Sequence, residues 1–369
     1  MNFKKNNVAI IQIEGFHEEV LPSCIYYLNA LGISPSVFVN VLCEKRGNIF
    51  NSLYGELDFS INYLPLESEN DLNKLKKILL SEKFEVLLAT TFQRDKVGEL
   101  VSQVGLPFIG IVHNPKIFFQ QEKCIKALNQ LPSTLLTLGR HVTAFMILHK
   151  REFFGRVRTI SGGYWGSLDV ADIKIDLGKK IFAVPGYVSF RNRNYSLLLD
   201  ISKELKKDTN YKNIMFYILG GGNDRKKLEH QFKKSGNAEH IQFAKVDPET
   251  GFVKYDEYIM RLRESHFLLP LFPNELGDYR NYKISSVITT ALGFGIPVLQ
   301  DHWTEEVYRL PNPPYADSLS LSVSKAMALN NDDYMALRIK YGELRLDELR
   351  RSIHEFSKSL NSIGLKTKY

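Results

Sequence analysis

The feature that most constrains this chain is an alternation, run twice, of short apolar segments with helical patterns. NVAIIQI, SVFVNVL, FEVLLAT, PFIGIVH and TLLTLG are brief and rich in β-branched or aromatic residues. Between them lie EEVLPSCIYYLNALG, DLNKLKKILLSE, RDKVGELVSQVG and RHVTAFMILHKREFF, whose apolar residues recur at helical spacing. Strands alternating with helices predict a parallel sheet covered on both faces. SGGYWGS and the acidic DVADIKID interrupt the rhythm, so an inter-domain linker is expected between Ser161 and Lys180. The pattern then restarts. KIFAVPG, NIMFYILGGG, HIQFAKV, HFLLPLF and PVLQ read as strands, and NYSLLLDISKELKK, DRKKLEHQFKKSG, YDEYIMRLRES and KISSVITTALGFG as helices.

Two consecutive doubly wound units imply an α/β protein of two Rossmann-like domains with a cleft between them, predicted over 1–172 and 173–332. Residues 333–369 read as a helical segment packing back on the first domain. Leu344, Leu346, Leu349, Ile353, Phe356 and Leu360 form its apolar stripe. A chain of 369 residues is long enough for two cores. An apolar share of 44% with 24% charged residues is that of a globular protein.

No window reaches the apolar length of a membrane helix, and the run after MNFKKNN is too short for a signal peptide. A cytoplasmic location is expected, with peripheral contact at the inner face of the membrane as an option. Cys24, Cys43 and Cys124 have no metal-ligand spacing and read as reduced thiols. A formal charge of +7 favours an anionic partner: nucleic acid, an anionic membrane or a phosphorylated substrate on charge alone. A solvated basic surface explains it equally well.

The stretch from Phe267 to Gln300 carries the most chemistry. A buried run, the polar loop NELGDYRN and a helix ending at Gly295-Ile296-Pro297 follow one another. Lys283, Ser285 and Ser286 stand where that helix begins, and free amides plus the helix dipole favour an anion such as a diphosphate there. Ser at a helix start also serves as a plain cap. Gly220-Gly221-Gly222 after YIL would allow a ligand close to the backbone, or simply make a tight turn. The spacing of a dinucleotide-binding loop is missing, which disfavours NAD.

From AVPGYVSFRNRNYSLLLD onward, the second half resembles the C-terminal domain of GT-B glycosyltransferases, especially the large family four group. Arg193-Asn194 stands where that family commonly has Lys followed by Gly or Asn, with Arg191 beside it. NIMFYILGGGNDRKKLE is similar to the family's strand and glycine turn. IQFAKVDPETGFVKYDEYIMRLRES looks like the element whose loop backbone, here around Val246, faces the nucleotide base. The resemblance covers about residues 180–330, and the first half only by rhythm.

It implies transfer of a sugar from a nucleoside diphosphate to a glycan or lipid-linked acceptor, with Lys283, Arg193, Ser285, Ser286 and Arg191 on the diphosphate. Gly220, Gly221 and Val246 would make nucleotide or backbone contacts. Nucleic acid is then not an expected partner. Family four enzymes usually carry two glutamates eight positions apart; aligning GIPV with their closing turn puts Tyr282 and Thr290 there. Glu275 and Asp278 lie upstream.

In the first half His113 follows PFIGIVH, where such enzymes often place a histidine near the transferred sugar or acceptor. Gly15-Phe16-His17-Glu18-Glu19 opens the first helix. Glu18 or Glu19 is a candidate acceptor base and His17 a similar one; an acidic pair against the helix dipole is the structural explanation. Arg140-His141 is a third candidate. There is no DxD, no HExxH and no carboxylate cluster at metal spacing, so neither metal nor other cofactor is expected. A sugar-nucleotide 2-epimerase of the same architecture and a degenerate, non-catalytic partner protein remain alternatives.

Overall fold

In the computed structural model the described residues are 4–47, 49–51, 53, 55–166, 178–205, 212–236, 238–273, 277–300, 302–311 and 318–367. They form two compact units. One comprises Met1–Ser167, Asn281–Ile284 and Asp347–Tyr369, the other Leu168–Arg280 and Ser285–Leu346. The expected boundary at 172/173, and Glu275, lie outside the described residues.

In the first unit β1 (Lys4–Gln12), β2 (Ile33–Asn40), β3 (Ser60–Leu64), β4 (Val86–Ala89), β5 (Phe108–Ile111), β6 (Ser133–Thr137) and β7 (Val157–Thr159) form one sheet, ordered β3-β2-β1-β4-β5-β6-β7. Every pairing is parallel. Crossover helices bury both faces, which is why Val8, Ala9, Ile10 and Ile11 of β1 and the whole of β4 and β5 are buried and without polar side chains. β3 and β7 were not read from the sequence. β3 is a half-exposed edge strand, SINYL, with no apolar run to announce it. The helix Glu122–Gln130 also went unread; it packs on the helix Asp95–Val104 through Gly98, whose missing side chain leaves room for the Cys124 backbone.

The second unit holds β8 (Lys180–Pro185), β9 (Ile214–Leu219), β10 (Ile241–Phe243) and β11 (Phe267–Leu268), all parallel and ordered β10-β9-β8-β11. Val298 of PVLQ bridges Leu268. HFLLPLF gives only a two-residue strand, because Pro270 lacks an amide and Leu271 adopts a left-handed φ of 49°. The Lys180 ammonium is buried and donates to the carbonyls of Ala326, Met327 and Leu329 at 2.9, 2.7 and 2.7 Å, closing the end of the helix Leu319–Ala328. Burial lowers its pKa.

The last helix runs Asn331–Ser362. Its buried face is Tyr341, Arg345, Leu349, Ile353, Phe356 and Leu360, whereas Leu346 is 50% exposed. Spacing explains this correction. Leu346 falls a residue after Arg345, off the three-and-four repeat that the others keep.

Lys180→Met keeps the stem and strands three carbonyls. Equilibrium urea unfolding is expected to show a loss of about 2–3 kcal/mol. A change under half a kcal/mol, roughly, would mean that water replaces the ammonium at little cost.

Candidate functional site

In an open parallel sheet ligands bind beyond the carboxyl ends of the strands, where the winding reverses. In the first unit the reversal lies between β1 and β4. Gln12, fully buried at the end of β1, ties the two loops together. Its Nε2 donates to the carbonyls of Glu14 and Phe16 at 2.8 and 2.6 Å, and its Oε1 accepts from the hydroxyls of Thr90 and Thr91. Arg46 clamps the β1 loop from the other side, donating Nη1 to Glu18 Oε1 at 2.7 Å and Nη2 to the Gly15 carbonyl. Glu18 is thereby buried as the partner of Arg46.

Held this way, the loop turns at His17, whose φ of 69° is left-handed. His17 Nδ1 lies 3.3 Å from Glu19 Oε1. Glu19, and not Glu18, is therefore the carboxylate that faces His17. The His17 ring stacks on His113 at 4.2 Å between centroids and 15° between planes. His113 Nε2–H donates to the Thr90 carbonyl at 2.7 Å, and the amides of His113 and Asn114 donate to Gln93 Oε1 at 2.9 and 2.7 Å.

Two protonation states follow. Burial, and then the charge on His17, pull the His113 pKa down to about 3, so its ring is neutral with the lone pair on Nδ1. Burial raises Glu19, but the His17 hydrogen bond and charge outweigh it and bring the carboxyl to about 2. When the His17 ring is neutral, an Nδ1–H held by the ionised Glu19 carboxylate places the lone pair on Nε2.

In the second unit the reversal lies between β8 and β11. The loop after β8 begins at Gly186, with a φ of 97°, and reaches Arg193. Arg193 is only 7% exposed. Its Nη1 donates to the Pro270 carbonyl at 2.6 Å, and the Asn194 amide to that of Leu271 at 2.8 Å. A Cβ built on Gly186 would stand 2.7 Å from Arg193 Nη2 and 3.6 Å from Ser286 Oγ, so both groups converge beneath this turn. Ser286 is exposed and opens the helix Ser286–Phe294. Ser285 is buried and caps that helix, its Oγ accepting from the Val287 amide at 3.3 Å.

The glycine turn is explained by internal packing. A Cβ on Gly220 would lie 1.8 Å from the Gly186 carbonyl oxygen, and one on Gly221 1.9 Å from that of Gly251. Val246 pairs its backbone with Val253 across a small loop stapled by Asp247. Beside the turn stands a pair unread in the sequence. Tyr187 is 41% exposed, its hydroxyl accepting from the Asn223 amide at 3.2 Å, and its ring lies 6.2 Å from Phe252. Arg191 is exposed and is not drawn to Arg193.

Lys283 does not join this corner within its unit. It precedes the helix and belongs to the first unit, where its carbonyl accepts from His141 Nε2 at 2.7 Å and its ammonium lies 5.6 Å from the Tyr282 ring centre. Arg140 is paired with Glu348 at 3.0 Å. Thr290 is buried, and Tyr282 packs on Phe145. Among the described residues no group of three or more His, Cys, Asp or Glu could hold a metal ion, and no helix is long and apolar enough to cross a membrane.

With this geometry in hand, known structures can be compared. Anabaena HepE, solved in complex with UDP and glucose, superposes with a TM-score of 0.63 at 11% identity, over 97% of this chain and 99% of that one. A glycosyltransferase from Rickettsia africae gives 0.62 at 12%, over 97% and 99%. A Listeria monocytogenes protein assigned as a UDP-N-acetylglucosamine 2-epimerase gives 0.58 at 10%, over 99% and 100%. The chain has the GT-B fold. No family model matches it, and no curated protein matches it in sequence.

The neutral, buried His113 gives a test by linkage. Its folded pKa lies below the unfolded one, so the unfolded chain takes up the extra proton and stability falls as pH drops from about 6.5 toward 3. His113→Gln lacks that group. Over this window its stability should fall less steeply than the wild type's, by about 1 kcal/mol per pH unit. Urea unfolding at several pH values measures it; parallel curves would mean that His113 is protonated in the folded protein.

Proposed function

We propose that this protein is a glycosyltransferase that moves a sugar from a nucleoside diphosphate to a hydroxyl of a glycan or lipid-linked acceptor. The observation that carries the reading is Arg193. Burying a guanidinium is costly unless an anion offsets it. Among the described residues Arg193 has no carboxylate partner, only the Pro270 carbonyl. A diphosphate beneath the Gly186 turn would supply the missing charge, accepting from Arg193 Nη2 and the Ser286 hydroxyl. The same contacts strengthen as the leaving diphosphate gains charge, with no metal required. HepE, of the same fold, was solved with UDP and glucose. The exposed Tyr187 ring, with the half-buried Phe252 beside it, offers a stacking surface for the base.

His17 is the proposed base. Glu19 holds Nδ1–H, so Nε2 accepts the acceptor's hydroxyl proton, and Glu19 stabilises the imidazolium that forms. His113 supports the ring from below. Lys283 remains a proposed donor contact on its position before the helix alone.

A thermal-shift panel of nucleoside diphosphates and their sugars tests binding, and radiolabelled sugar appearing in an acceptor tests transfer. Arg193→Lys should weaken diphosphate binding about tenfold or more, because an ammonium does not reproduce the fork. His17→Ala should leave donor binding intact and lower kcat by roughly 10²–10⁴. Interconversion of free sugar nucleotides without transfer would make the protein an epimerase. Absence of any nucleotide response would remove the enzyme reading.

A further inference from the structure

The helix Arg140–His149 ends, in the first unit, on side chains that the protein does not cover. Leu148 is 80% exposed and Phe154 79% exposed. Isolated exposed apolar residues are ordinary, but these two stand six positions apart in one segment, LHKREFF. Phe153 is buried and anchors the short turn Arg151–Phe153, which leaves its neighbour Phe154 outside. Between the two lie Lys150 and Arg151, both exposed, with Glu152 the one carboxylate of the segment. Neither basic side chain has an ion pair among the described residues.

Phe145 stacks on His149 at 3.8 Å and lies 5.2 Å from Tyr282, over whose ring the exposed Lys116 places its ammonium at 4.1 Å. Two exposed apolar tips and two exposed cations thus lie within one seven-residue segment.

We propose that this face docks on an anionic lipid bilayer, with Leu148 and Phe154 entering the interfacial layer and Lys150 and Arg151 over the headgroup phosphates. Charge selects this occupant. A second copy meeting the face about a two-fold axis would bring the same cations against each other. An anionic surface complements them, and the apolar tips supply the short-range component that a purely electrostatic contact lacks. The proposal is independent of sugar transfer, since vesicle binding needs no donor.

The test is co-sedimentation of the full chain with vesicles at about 0.1 M salt, where surface charges still act over about 10 Å. Binding is expected to phosphatidylglycerol–phosphatidylcholine vesicles, not to phosphatidylcholine alone, and should weaken as salt rises. The double variant Leu148→Ser/Phe154→Ser should reduce partitioning about tenfold or more. Lys150→Ser/Arg151→Ser should reduce it as well. All four side chains are exposed, so an unchanged Tm is expected and separates lost docking from lost folding. The proposal fails if the wild type ignores anionic vesicles, binds neutral ones equally, or is unaffected by the Leu148/Phe154 change. It also fails if sedimentation velocity reveals a dimer that Phe154→Ser abolishes while vesicles remain unbound.

Discussion

The carboxyl edge of the second sheet depends on backbone packed against backbone. Gly220 stands where any Cβ would collide with the Gly186 carbonyl, and Gly221 likewise against Gly251. That closeness brings the loops after β8, β9 and β10 into one layer. The Val188 amide donates to the Gly221 carbonyl at 2.8 Å, and Arg225 reaches the Gly220 and Ala244 carbonyls at 3.1 and 2.7 Å. The Gly186 turn is fixed by this layer, and Arg193 is placed beneath it. A side chain at Gly220 would therefore disturb the cation indirectly, without touching it.

The first unit reaches comparable rigidity by different means. There the loop after β1 is held by side chains: Gln12 from within and Arg46 from outside. Both switch loops carry a non-glycine residue with left-handed φ, His17 in one unit and Leu271 in the other. Such a conformation costs roughly 1–3 kcal/mol and persists only where the surroundings dictate it. At His17 the outcome is a ring aimed by Glu19 and supported by His113. At Leu271 it is a carbonyl turned to the Asn194 amide, beside the carbonyl that receives Arg193.

Alternation and burial made most of the architecture readable, because buried parallel strands must be apolar throughout. The exposed edge strand β3 escaped for the same reason: nothing forces SINYL to be apolar. Spacing alone left Ser285 and Ser286 equivalent, and only the folded helix start separates a buried cap from an exposed hydroxyl. Glu18 and Glu19 likewise differ by one position in sequence, yet one neutralises Arg46 and the other orients His17. Arg46 itself was invisible, since its partners lie 28 and 31 positions away. Side-chain pairing across loops is set by tertiary geometry, and no local pattern encodes it.

The chemistry each unit offers follows from how its charges are balanced. In the first, the carboxylates around the β1 loop each face a basic side chain: Glu18 faces Arg46, Glu14 faces Lys96 and Glu19 faces His17. The His17 ring carries its second nitrogen, Nε2, away from the Glu19 contact. In the second, the Arg193 guanidinium at the carboxyl edge of the sheet has among the described residues only the Pro270 carbonyl as its partner. A carboxylate beside Arg193 would have made the corner more stable and useless for binding phosphate, because the ligand would then have to displace an internal ion pair. On the proposed reading, a guanidinium without an internal carboxylate keeps its charge available to an incoming anion. On that reading the feature that costs stability is the one that would supply affinity, and Arg193 stands out by the carboxylate it lacks rather than by the carbonyl it touches.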